Sequence, residues 1–167
     1  VMKKIFSVLL IGAAVLSISA CSGGAGKAEN KEESKSAEDF KGQGTKTYVF
    51  SDGQNELEVK FDYNDDNVLA QTGNTKMMYS KLNVKSKEEA QKVLEPLEKT
   101  ISALDGVDLK VEYGEDHYVE DISIDFSKVD LKKLGEAQGT LLYSQNDDLK
   151  MSKIDTQLTK MGYQEKN

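Results

Sequence analysis

Leu57, Val59, Phe61 and Tyr63 alternate with Glu58, Lys60 and Asp62. A period of two puts the four apolar side chains on one face of a β-strand and the three charged ones on the other. Such a strand needs neighbours on both edges and a cover over its apolar face. The same pattern recurs at Tyr48 and Phe50, at Val107, Leu109, Val111 and Tyr113, and at Tyr118, Glu120, Ile122, Ile124 and Phe126. Turn-forming clusters separate these runs: Ser51-Asp52-Gly53-Gln54-Asn55, Asn64-Asp65-Asp66-Asn67 and Gly114-Glu115-Asp116. A further strand region runs from Val68 to Val84, with Gly73-Asn74 expected as a bulge or bend.

The cover is predicted between the third and fourth strands. Ser86-Lys87-Glu88-Glu89 reads as a capping box, in which Ser86 caps the amide of Glu89 and Glu89 reaches back. The helix it opens carries Ala90, Val93, Leu94, Leu97, Ile101 and Leu104 at spacings of three and four. Pro96, the only proline, removes one backbone donor inside it. The stripe continues past Pro96, so one helix is expected, ending at Asp105-Gly106. A short helix is expected from Asp130 to Leu134. Met151, Ile154, Leu158 and Met161 mark a last one, with Gly162 as its C′ residue. Strands and helices that run in blocks, without strict alternation, argue an α+β fold. The expectation is a largely antiparallel sheet of about five strands, one long helix on a face, and one or two shorter C-terminal helices.

The N-terminus carries a different signal. Lys3 and Lys4 precede an apolar stretch from Ile5 to Ile18, and Ile18-Ser19-Ala20-Cys21 follows as a bacterial lipobox. The stretch suits a signal peptide and is short for a bilayer-spanning helix of roughly 20 residues. Cleavage is expected between Ala20 and Cys21, with the Cys21 thiol taking a diacylglyceryl group. Two or more acyl chains anchor stably where one does not. Residues 1–20 are thus read as a signal peptide and 21–45 as the lipidated cysteine with a flexible tether. Residues 46–167 are read as one α+β domain. Ser22 to Thr45 is Gly/Ser/Lys/Glu-rich with few apolar side chains. A flexible chain of that length spans on the order of 25–30 Å.

Composition narrows the chemistry. Removing 20 of the 167 residues leaves 147; two lysines and no acid leave with them, so the net charge moves from −7 to −9. Every basic residue is lysine. An acidic chain without arginine lacks the basic patches that drive nucleic-acid binding, so no nucleic-acid partner is expected. With Cys21 the only cysteine, the domain holds no disulfide and its stability rests on an ordinary core.

No catalytic signature stands out. His117, the only histidine, sits beside Glu115 and Asp116 in what reads as a polar hairpin turn. A zinc site would need further ligands from distant carboxylates alone, and no G-x-S-x-G elbow supplies a nucleophile. Asn64-Asp65-Asp66-Asn67 and Asn146-Asp147-Asp148 are rich in oxygen ligands, but neither has calcium-loop spacing, and both read as solvated turns. Met77, Met78, Tyr79, Met151 and Met161 read chiefly as core, with an adaptable apolar groove as the alternative. Met77 and Met78 point to opposite faces if both lie on a strand. No cofactor and no metal are expected, no catalytic residue is assigned, and the ligand-binding residues are left open.

Three segments carry a resemblance: Glu89-Ala90-Gln91-Lys92-Val93-Leu94-Glu95-Pro96-Leu97, Asp125-Phe126-Ser127-Lys128-Val129-Asp130, and Met151 to Tyr163, ending Lys160-Met161-Gly162-Tyr163. In order and spacing they resemble the YehR-like family of small bacterial lipoproteins, over roughly Thr47 to the C-terminus. The resemblance implies an α+β domain displayed from a membrane by lipid, and it carries over no active site. The functional expectation is a membrane-anchored lipoprotein on the extracytoplasmic face of the cell membrane, or on an outer membrane in a two-membrane envelope. It is expected to be a non-enzymatic binding or envelope-interaction module. The alternative is a small-ligand or peptide carrier using an apolar pocket in the domain.

Overall fold

The computed structural model describes residues 35–138 and 149–166. The signal sequence, Ala20, Cys21 and Asn146-Asp147-Asp148 lie outside them. The described chain forms six strands: β1 Gln43–Ser51, β2 Glu56–Asn64, β3 Asn67–Met78, β4 Val107–Tyr113, β5 His117–Asp125 and β6 Gln164–Glu165. Three α-helices join them: α1 Lys87–Ser102, α2 Leu131–Gln138 and α3 Met151–Lys160. The strands make one antiparallel sheet in the order β4-β5-β3-β2-β1-β6.

Register explains the two faces. Opposed residues in an antiparallel pair share a face, so Tyr48, Val59, Gly73, Ile122 and Leu109 form one row across five strands. Phe61 and Ile124 flank it, and these residues supply the core with Tyr118, Leu57 and Met77. Ala90, Leu94 and Ile101 of α1 and Met151, Ile154 and Leu158 of α3 cover this face. The other face carries the alternating polar set.

Four expectations are corrected. The sheet has a sixth strand, β6, because the chain turns at Gly162 (φ +88°) and lays two residues along β1. Gly73-Asn74 is not a bulge: β3 runs straight through it, and the register shift lies at Asp62/Tyr63 of β2 instead. A Cβ at 73 would stand 3.1 Å from the Ile122 Cγ2 atom, so any larger residue there requires Ile122 to give way by a few tenths of an ångström. The strand region read to Val84 stops at Met78, and Tyr79–Leu82 is a 3₁₀ turn. The folded body also starts before residue 46. Ala37–Phe40 is a 3₁₀ turn, and Phe40 is fully buried edge-on against Tyr63 with ring centroids 5.5 Å apart. One aromatic ring in a polar stretch suffices to dock it, since a large apolar side chain buried fully contributes about 2–3 kcal/mol.

Helix α1 is continuous through Pro96. Its cap differs in one detail: the Glu89 amide donates to Ser86 Oγ at 3.3 Å, but the Glu89 carboxylate accepts from the Lys85 amide at 2.8 Å, one residue before the cap. The helix expected at Asp130–Leu134 reaches Gln138, and Asp130 Oδ1 accepts from the amides of Lys132 and Lys133.

Candidate functional site

All three helices pack on one side, and the opposite face of the sheet carries no described element. Two polar rows cross it. Lys60, Thr72, Ser123 and Asp108 form one; Glu58, Asn74, Asp121 and Lys110 form the other. Side-chain length varies along each row. The inner strands β3 and β5 present Thr72, Asn74, Asp121 and Ser123, all short. The flanking strands β2 and β4 present longer side chains at three of their four positions. The result is an open trough of about 480 Å³, floored by hydroxyl, amide and carboxylate groups and rimmed by both charge signs. Gly73 and Ile122 complete its lining. The Asn74 amide donates to Asp121 Oδ1 at 2.6 Å, which sets the orientation of both. Glu58, on one rim, takes an ion pair from Lys166 at 2.8 Å.

Two carboxylates lie on the covered side. Glu120, 2% exposed, sits on β5 between Thr75 and Val111. Among the described residues no donor pairs with it. Burial, with the nearby charges of Glu98 and Asp121, pushes its pKa up to about 8. Asp155 of α3, 5% exposed, accepts from the Tyr48 hydroxyl at 2.5 Å and from Lys35 at 3.1 Å. Burial and that hydrogen bond hold the Tyr48 phenol well above its ordinary value. Lys35 and Lys46 both pair with Glu165 of β6. Burial opposes ionisation of Glu165, but the two lysines outweigh it and its pKa is lowered.

The residues singled out from the sequence take other parts. Asp65 and Asp66 form a turn with positive φ (47° and 65°). The Asp66 carboxylate accepts from the Ser152 amide at 2.7 Å and from the Ser152 hydroxyl at 2.9 Å. It therefore caps α3, whose own N-cap residue Lys150 makes no side-chain cap. The Phe40 carbonyl accepts from the Asp66 amide at 3.0 Å, and the Gly42 amide donates to Asp65 Oδ1 at 2.8 Å. The turn is a socket for two chain segments. His117 opens β5 with its ring nitrogen 2.7 Å from Asp116 Oδ1. No three His, Cys, Asp or Glu side chains converge among the described residues. Met77 is buried and accepts weakly from the Tyr118 hydroxyl at 3.5 Å, whereas Met78 is half-buried and its strand position falls on the open face. Met151 is buried beside Asp66, ~30 Å along β3 from Met77 by strand rise. The methionines therefore do not line one groove.

Sequence reading did not point to the trough. Thr72, Asn74, Asp121 and Ser123 look like ordinary exposed strand positions, and only the β2-β3-β5-β4 order brings them together. Among the described residues no helix is long and apolar enough to cross a membrane.

Comparison with known proteins agrees with this architecture. The chain is 31% identical to the uncharacterised lipoprotein YehR of Escherichia coli over 139 residues, 82% of this chain and 78% of that protein. It is 30% identical to the uncharacterised lipoprotein Lmo0207 of Listeria monocytogenes over 125 residues, 72% of this chain and 80% of that protein. The solved NMR structure of E. coli YehR superposes with a TM-score of 0.61 at 26% identity, covering 75% of this chain and 91% of that one. Its α+β fold is the one found here. Residues 44–164 match the family model described as "Protein of unknown function (DUF1307)". The match spans the whole sheet apart from the first residue of β1 and the last of β6. The chain belongs to that family, alongside relatives named as lipoproteins.

Proposed function

We propose that this lipoprotein is a non-enzymatic binding module of the cell envelope, and that the open face of its sheet meets the ligand. Lipid on Cys21, added with cleavage after Ala20, holds the domain at the extracytoplasmic face of the membrane. The observation that carries the reading is the trough: eight of its ten lining residues are polar, across four strands, on the face opposite all the described helices. Short hydroxyl and amide side chains between charged rims suit a polar ligand rich in hydrogen-bonding groups. An apolar-ligand carrier needs a different lining, an enclosed apolar wall with a few convergent polar groups.

The test compares pull-downs from native membranes. Wild type is set against Thr72→Lys/Ser123→Lys, which fills the floor, and against Lys87→Ala, at the start of α1 on the far side of the sheet. A partner held by wild type and Lys87→Ala but lost from the floor variant supports the proposal. Equal retention by all three removes the trough from it. Cys21→Ser tests the anchor: metabolic lipid labelling should vanish and the protein should become soluble, whereas continued labelling would refute the assignment.

A further inference from the structure

Strand β4 is the outer strand of the sheet, with no strand beyond it among the described residues. It is seven residues long, with no proline, glycine or bulge to blunt it. Its backbone direction follows from two bonds. The Gly114 amide donates to the His117 carbonyl at 2.9 Å, and the Asp125 amide donates to the Gly106 carbonyl at 2.7 Å. Even-numbered residues of β4 therefore turn their amides and carbonyls toward β5. Val107, Leu109, Val111 and Tyr113 turn theirs outward, the Val107 amide already donating to the Leu104 carbonyl at 3.2 Å. The same four residues occupy the covered face but are only half-buried, whereas Val59 and Phe61 of β2 and Ile122 and Ile124 of β5 are buried. The edge thus leaves both hydrogen-bonding groups and apolar surface incompletely covered.

The charges on its other face decide what fits. Asp108, Lys110 and Glu112 alternate in sign. Antiparallel pairing of β4 with the same strand of a second copy has three registers near its middle. Centring on Lys110 opposes lysine to lysine and Asp108 to Glu112, which like-charge repulsion disfavours. Centring on Leu109 opposes Lys110 to Asp108 but sets Val111 against Val107, whose amide already donates to the Leu104 carbonyl at 3.2 Å. Centring on Val111 opposes Lys110 to Glu112 twice by symmetry. It also opposes Leu109 to Tyr113, an aliphatic–aromatic pair, and satisfies the outward groups of residues 109, 111 and 113 in both copies. We infer that β4 is a self-association edge, joining two copies of this chain antiparallel about Val111 into one continuous sheet whose polar faces adjoin. A contact of this size is weak in free solution. Tethering both copies to one membrane raises their effective concentration and makes it significant.

The test uses the full lipidated chain. Lys110→Cys and Glu112→Cys co-expressed in one membrane should give an oxidised dimer, since these positions face each other as a close, non-hydrogen-bonded pair. Either variant alone should give far less. Greater cross-linking of Lys110→Cys with itself, or of an Asp108→Cys/Lys110→Cys mixture, would overturn the register. For the full chain reconstituted in lipid vesicles, energy transfer between fluorescently labelled copies should show Lys110→Glu and Glu112→Lys each lowering the dimer association constant about tenfold. The double variant should restore it. Both side chains are about two-thirds exposed, so the substitutions leave the fold intact. Unchanged dimer in the single variants, or no dimer at all, would refute the proposal while leaving the partner-retention test of the trough unaffected.

Discussion

Glu120 and Asp155 are both carboxylates under the helices, and the molecule treats them in opposite ways. Asp155 meets a phenol and a lysine, so its charge is solvated by protein. Glu120 meets neither, so its proton stays on at neutral pH. The difference follows from position. Asp155 projects from α3 toward the sheet margin at β1 and β6, where Lys35 arrives from flanking chain and Tyr48 from β1. Glu120 lies on an inner strand, where α1 and the adjoining strands contribute no cation. A carboxylate near an edge adds stability by tying segments together. One in the middle of a sheet lowers stability whenever the solvent favours its ionised form.

Removing the paired carboxylate should have the largest effect. Asp155→Ala strands the Tyr48 hydroxyl and loosens Lys35, and should cost about 3 kcal/mol in urea unfolding at pH 7. A loss below ~1 kcal/mol would show that the pairing is not what holds α3 to β1. Glu120→Gln should act in the other direction. The unfolded glutamate titrates near 4.5 and the folded one near 8. Between those values the folded chain keeps a proton that the unfolded chain has released. Wild-type stability should therefore fall with rising pH from about 4.5 to about 8, by at most ~1.4 kcal/mol per unit. Glu120→Gln should remove that slope, gain roughly 2 kcal/mol at pH 6 and match wild type at pH 4. Parallel unfolding curves for the two across that range would break the contrast.

Smaller changes sharpen it. Tyr48→Phe keeps the ring but withdraws the donor from Asp155, and should cost about 1–2 kcal/mol by thermal melting. Lys35→Met should cost less, about 0.5 kcal/mol, because the lysine is one-third exposed and water replaces part of what it provides. If Lys35→Met equalled Asp155→Ala, the lysine rather than the phenol would be the principal partner.

These carboxylates also mark how far the residues could be read in advance. Period-two alternation placed Glu120 on the same side as Tyr118, Ile122 and Ile124, so its burial was implied. Its lack of a partner was not, because partners come from α1 and β3, remote in the chain. The stripe from Ala90 to Ile101 and the Ser86 cap are local and form as read, apart from the Glu89 arm that reaches Lys85 and the helix end, which comes at Ser102 and leaves Leu104 in the turn beyond. Phe40 was hidden because one aromatic among polar residues has no period. The cap on α3 was hidden because Asp66 lies 86 residues before Ser152. The trough was hidden for the same reason: its floor is built from β3 and β5, whose adjacency no local pattern encodes.

By itself the sequence determined which segments become strands and helices, and which side of each is apolar. Both properties follow from torsional preference and side-chain spacing within ten or fifteen residues of chain. The tertiary structure alone decided that β3 lies between β2 and β5, that Asp66 serves α3 and that, among the described residues, Glu120 meets no cation and β4 ends the sheet. Those outcomes depend on which distant groups meet, and what selects them is the total burial and hydrogen bonding of the assembled sheet rather than any local preference.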